Sequence, residues 1–209
     1  MNYKVIDIEN WKRKDQYEFF KSFDLPFFNV TANVNVTSFL AYTKNNKLPF
    51  FYCTLFAILK ACNEIPEFRY RINENQVFDY QKINAGITIL KDDNTFIYGS
   101  IDFKSNLHEF VIHAKEMVAH QKLNKAFLPH DTNDLIFVSA IPWVSFTGFV
   151  HARKTCESDS VPRFVIGKFF KEKDQLLLPI SVEVHHALAD GFHIGQFLEK
   201  IQLEFDSYS

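Results

Sequence analysis

The chain has 209 residues, enough to bury a substantial core, and its 23 basic and 25 acidic side chains leave a formal net charge of -2. That balance, with no long basic block, gives no electrostatic footprint for nucleic acid. Cys53, Cys62 and Cys156 form an odd set without paired-metal spacing, as expected of free thiols in a reducing compartment, and the longest apolar run, about residues 49–59, is too short to span a bilayer. The first ten residues mix Lys4, Asp7 and Glu9 and lack an apolar signal core, which implies a soluble cytoplasmic protein. Without a Pro-, Gly- or Ser-rich linker or an internal repeat, the expectation is a single domain over 1–209. Phenylalanine is abundant, 24 residues, so the core is aromatic and an aromatic-lined pocket or interface is a further expectation.

Taken in chain order, apolar spacing predicts a first helix over 11–23, closed by Pro26, and a period-two strand over 30–36. A buried helix over 50–65 stops at Pro66. Short strands are expected at 69–72, 76–80, 86–90 and 95–100, with Asp92-Asp93-Asn94 turning the chain between the last two. Ser105 caps a helix running to about residue 123, whose stripe of Leu107, Phe110, Val111, Ala114, Met117 and Val118 faces the core. Strands follow at 135–140, 144–150, 163–170 and 176–184, and a last amphipathic helix covers 191–205. Runs of strands between helices define an α+β class: a two-layer sandwich, a mixed β-sheet covered on one face by helices.

Residues 185–193 read His-His-Ala-Leu-Ala-Asp-Gly-Phe-His, at the junction between the last strand and the last helix. A strand end can aim one side chain, and a neutral imidazole on His186 can take a proton from a hydroxyl or thiol near pH 7. Asp190 precedes Gly191 in a turn signal and, if buried, needs a cationic partner, so its role is to lock the loop. A His-His pair at a turn is also compatible with a purely structural role. A metal site from His185, His186, Asp190 and His193 is the other rival, but adjacent strand residues point to opposite faces, so no metal is expected.

The run 185–193 resembles the signature of the chloramphenicol acetyltransferase family. Further matches lie at Asn10-Trp11-Lys12-Arg13, at residues 139–147 (Ser-Ala-Ile-Pro-Trp-Val-Ser-Phe-Thr), at Pro162 with Gly167-Lys168, and at residues 176–182 (Leu-Leu-Leu-Pro-Ile-Ser-Val), in family order. The resemblance implies a CoA-dependent acyltransferase fold and an acetyl-CoA-dependent O-acetyltransferase acting on a small-molecule hydroxyl, chloramphenicol first among them. His186 is then the general base, Asp190 and Arg13 a supporting salt bridge, and Lys168 and Phe169 the positions that contact the coenzyme. The family is trimeric with sites between subunits, so a homotrimer is expected. Phe20, Phe27, Phe28, Phe127, Thr147, Gly148 and Val165 are the candidates for the acceptor pocket.

Two departures bear on activity. The serine that donates to the oxyanion falls at Gly148, and a threonine that positions a water falls at Val165. Loss of one oxyanion donor costs on the order of 10²- to 10³-fold. Ser145 or Thr147 are the hydroxyls near enough in sequence to substitute. The alternatives are an acetyltransferase for a different hydroxyl acceptor, or a scaffold that binds acceptor or CoA with weak or no turnover.

Overall fold

The computed structural model describes residues 2–124, 132–153 and 159–208. A short sheet near the N-terminus joins β1 (Tyr3–Val5), β4 (Gln76–Tyr80) and β3 (Tyr70–Asn73). The main sheet runs in the order β2 (Phe27–Asn35), β10 (Gln175–His185), β8 (Arg163–Ile166), β7 (Leu135–Ala140), β5 (Asn84–Leu90), β6 (Phe96–Ile101), with β9 (Phe170–Glu172) also on β10. It is mixed: β7 is parallel to β5 and β8, and the remaining pairs are antiparallel.

One face of this sheet is dry. Leu178, Ile180, Val182 and Val184 of β10, Phe164 and Ile166 of β8, and Ile136 and Val138 of β7 share a buried cluster with three helices. These are α3 (Phe50–Glu64), α5 (Leu107–Asn124) and α6 (Gly191–Asp206). Such strand alternation, apolar on one face every second residue, is what a sheet covered on one side requires. The two-layer α+β sandwich expected from the sequence is therefore the observed architecture. Among the described residues no helix is long and apolar enough to cross a membrane.

Most element boundaries follow local rules. α3 ends because Ile65 precedes Pro66, which pushes Ile65 into extended backbone at φ -108°, ψ 111°. Pro66 then opens the short α4 (Pro66–Arg69), where a missing N–H costs nothing. Asn94 sits at φ 62° in the tight turn expected at 92–94.

Several expectations are corrected. The first helix, expected over 11–23, is shorter at both ends: α1 covers Lys14–Phe20, and a separate 3-10 turn at Ile8–Asn10 precedes it. A helix absent from the sequence reading, α2 (Thr37–Asn45), starts where the Asn35 side chain accepts from both the amide and the hydroxyl of Thr37. α5 is capped by Asn106 rather than Ser105, its carboxamide oxygen accepting from the amides of His108 and Glu109. The strand expected at 163–170 splits into β8 and β9. Gly167 donates to the Pro179 carbonyl, but Pro179 has no N–H to return, so the ladder breaks there.

Residues 144–150 are not a strand. The segment instead packs on the junction between β8 and β9. The Lys168 amide donates to the Val144 carbonyl, and the Phe146 ring packs over Gly167, where a Cβ would lie 2.9 Å from it.

Candidate active site

β10 carries the chain to His185, and its ladder with β2 ends at the pair His185–Phe27. The next residue, His186, donates its amide to the Pro26 carbonyl at 2.7 Å, so its Cα is fixed by one more cross-strand bond. The imidazole lies flat against Phe20, with ring centroids 4.0 Å apart and planes 4° apart, and Phe28 approaches at 4.5 Å. Nδ1 is buried and has no hydrogen-bond partner among the described residues. Aromatic packing, rather than a hydrogen bond to the ring, therefore holds this side chain.

Arg13 locks the loop that follows. Its Nη1 meets Asp190 Oδ2 at 2.7 Å, and its Nη2 donates to the His186 carbonyl at 3.4 Å. Burial pushes the Asp190 carboxyl up, but the hydrogen bond from Arg13 and the nearby His193 and Arg13 outweigh it and hold the group below the usual carboxylate range. Asp190 does more than the turn reading foresaw. It caps α6 by accepting from the Phe192 amide, while the His193 side chain accepts from the Asp190 amide. Gly191 is consequently the first residue of the helix, and no described glycine has positive φ.

The two adjacent histidines face different surroundings, as strand geometry demands. His185 is buried, its Nδ1 accepts from the Ala187 amide, and its ring edge meets Phe27. Desolvation first, then the charge of Arg153, lower its pKa to about 4. His185 is thus neutral near pH 7, with its proton on Nε2. Of the proposed metal set, His193 Nδ1 and His185 Nδ1 are both spent on backbone amides, and no group of three donors among the described residues is placed to hold a metal ion.

His185 lines a cavity of about 590 Å³, together with Phe23, Leu25, Phe27, Arg153 and Ser160. His186 is not among its lining residues, so this cavity is not the surface that faces the candidate base. Beside it lies an ionic network that sequence reading missed. Arg153 Nε meets Glu183 at 2.6 Å, Arg153 Nη1 and Arg163 Nη2 both meet Asp159, and His151 approaches Glu183 at 3.4 Å. Burial raises the Glu183 pKa, but bonds from His151 and Arg153 more than reverse this and bring it to about 2. One signal was present in the sequence: Glu183 is the only charge inside the apolar stretch 176–184. A second missed residue, Arg71, is fully buried and donates to the carbonyls of Phe68, Tyr70, Asn133 and Leu135, which ties the small sheet to the main one.

The pocket candidates fall into two groups. Phe20 and Phe28 flank the candidate base, and Phe27 meets its neighbour His185. Val165 is not among them. Val165 pairs with Ser181, and the five residues from Ser181 to His186 span roughly 16 Å of strand. Val165 is fully buried, whereas Gly148 is exposed and a Cβ added there would meet nothing within 4 Å. The Ser145 hydroxyl donates to the Lys168 carbonyl at 2.7 Å, which leaves exposed Thr147 as the freer hydroxyl. Lys168 is exposed at the far end of β10, and Phe169 packs beside Phe50 with centroids 5.9 Å apart. Phe127 lies outside the described residues.

A mixed sheet backed by one layer of helices is the fold of CoA-dependent acyltransferases. A solved structure of a chloramphenicol acetyltransferase is similar, with a TM-score of 0.85 at 28% identity, covering 97% of this chain and 99% of its own. A chloramphenicol acetyltransferase of Proteus mirabilis is 32% identical over 200 residues, 95% of this chain and 92% of its own, and one of Escherichia coli is 30% identical over 213 residues, 99% and 95%. A family model described as chloramphenicol acetyltransferase matches residues 1–202. The chain belongs to the chloramphenicol acetyltransferase family, and it is an acyltransferase.

Proposed function

We propose that this chain is an acetyl-CoA-dependent O-acetyltransferase that transfers acetyl to a primary hydroxyl of chloramphenicol, with His186 as general base. In this reading the imidazole takes the hydroxyl proton through Nε2 as the alkoxide oxygen bonds to the thioester carbonyl carbon. Collapse of the tetrahedral intermediate then breaks the carbon–sulfur bond, and the imidazolium returns its proton to the CoA thiolate. Base catalysis of this kind contributes about 10²- to 10⁴-fold. The observation that carries the reading is the imidazole of His186 at the β10 end, clamped by Phe20 and Phe28 above an Arg13–Asp190 lock.

The split in the pocket candidates supports a homotrimer whose sites form between copies. A small acceptor does not bridge roughly 16 Å, so Val165 serves a base from another copy. Exposed apolar side chains lie on both groups: Phe19, Phe23 and Leu25 near the base, and Trp143, Val144 and Val150 near Gly148. Association of two such surfaces would remove them from water. The cytoplasm is the compartment this reading assumes, in keeping with the buried free thiols of Cys53 and Cys62.

The test is CoA-thiol release from purified protein with acetyl-CoA and chloramphenicol, against His186→Ala. Release at the level of that variant rejects chloramphenicol as the acceptor, and a screen of other hydroxyl compounds then follows. Gly148 favours a second reading, a scaffold that binds chloramphenicol or CoA with weak turnover, because no side chain stands where the oxyanion donor is expected. Calorimetric binding without measurable release selects it.

A further inference from the structure

We propose that Arg153 is a positioning residue for His186, acting through the last rung of the β2–β10 ladder; the proposal rests on the reading of His186 as the base. The ring of His186 has no hydrogen bond at Nδ1 among the described residues, so its direction depends on the backbone that delivers it and on the rings beside it. That backbone is vulnerable. β2 is an edge strand of the main sheet, and past the Phe27–His185 pair a single bond, from the His186 amide to the Pro26 carbonyl, joins it to β10. Strand ends with a free edge fray first.

Arg153 binds both strands of that end at once. Its guanidinium carbon lies 3.3 Å from the centroid of the Phe27 ring, a face-on stack on β2. Its Nε meets Glu183 of β10 at 2.6 Å, two residues before His185 on the same face. Nη1 meets Asp159 at 2.9 Å, and Asp159 is held in turn by Arg163 on β8 and by accepting from the Val161 amide. The side chain is only 9% exposed. Phe27 and His185 make a T-shaped pair, and the neighbouring Phe28 packs on His186. Arg153 therefore staples the rung from the helix-free face, while Phe20 and Phe28 fix the imidazole on the other side. Only a planar guanidinium can stack and fork in this way; an ammonium supplies the charge alone.

The test compares wild type with Arg153→Lys and with the double variant Arg153→Met/Glu183→Gln, which removes both charges together and avoids stranding the carboxylate. The full-length protein is assayed for kcat and for KM toward acetyl-CoA and chloramphenicol, and the His186 ring protons are followed by NMR, where the stacked Phe20 ring shifts them upfield. Both variants are expected to lose kcat by on the order of 10- to 100-fold. KM should change little, and the His186 resonances should move toward unstacked values. A double variant with kcat within twofold of wild type and unmoved His186 resonances overturns the proposal, as does full recovery of kcat by lysine. His186→Ala is run in parallel. If it retains turnover, the base reading fails, while the ring resonances still decide whether Arg153 positions His186.

Discussion

Removing Arg13 tests whether the loop after β10 is held by one ion pair. Arg13 is nearly buried, with 11% of its side chain exposed, but Asp190 keeps 36% of its own in water. A wholly buried pair that loses one partner costs about 3–5 kcal/mol, and an exposed one about 0–1, so Arg13→Ala is expected to cost roughly 2 kcal/mol. For a chain of this length that lowers Tm by about 4–8 °C. The same change frees the His186 carbonyl, which Arg13 also holds, and a base displaced by a fraction of an ångström should lose about tenfold or more in kcat. Because Asp190 also caps α6, Asp190→Ala alone mixes two effects; a double-mutant cycle with Arg13→Ala isolates the pair. Thermal unfolding at one fixed protein concentration and CoA-thiol release supply the two readouts. A coupling energy below about 0.5 kcal/mol, or Arg13→Ala turning over at the wild-type rate, would refute the reasoning.

The remaining predictions concern residues away from that pair. Glu183 titrates at about 2 in the folded chain against 4.5 for the free group, so its stabilising contribution is present above about pH 4.5 and is lost as pH falls toward 2. Urea midpoints should drop between pH 5 and pH 3 less steeply in Glu183→Gln than in wild type, and parallel curves would contradict this. Gly148→Ser places a hydroxyl in open space at no steric cost and is expected to raise kcat by on the order of 10-fold or more, read by steady-state kinetics. Arg71→Met leaves the buried carbonyls of Phe68 and Leu135 without this donor and should cost about 2 kcal/mol or more, measured by denaturant titration.

Local rules in the sequence determined a great deal. Proline ended α3, strand alternation marked β7 and the dry face of β10, and the step from apolar strand to amphipathic helix located His186 at a strand end. The Arg13–Asp190 pair was also legible, since a carboxylate in an apolar loop calls for a distant cation and the resemblance pointed to Arg13. What only the tertiary structure decided was pairing across the fold. Residues 144–150 have strand composition but pack on the junction between β8 and β9, and Pro179 breaks the ladder that would have kept 163–170 whole. Arg153 and Arg71 read as ordinary charges until the strands that bury them are assembled, because burial and partner geometry are set by contacts distant in sequence. The separation of Val165 from His186 has the same origin: proximity in a family pattern carries no distance, and the register of β8 on β10 supplies it.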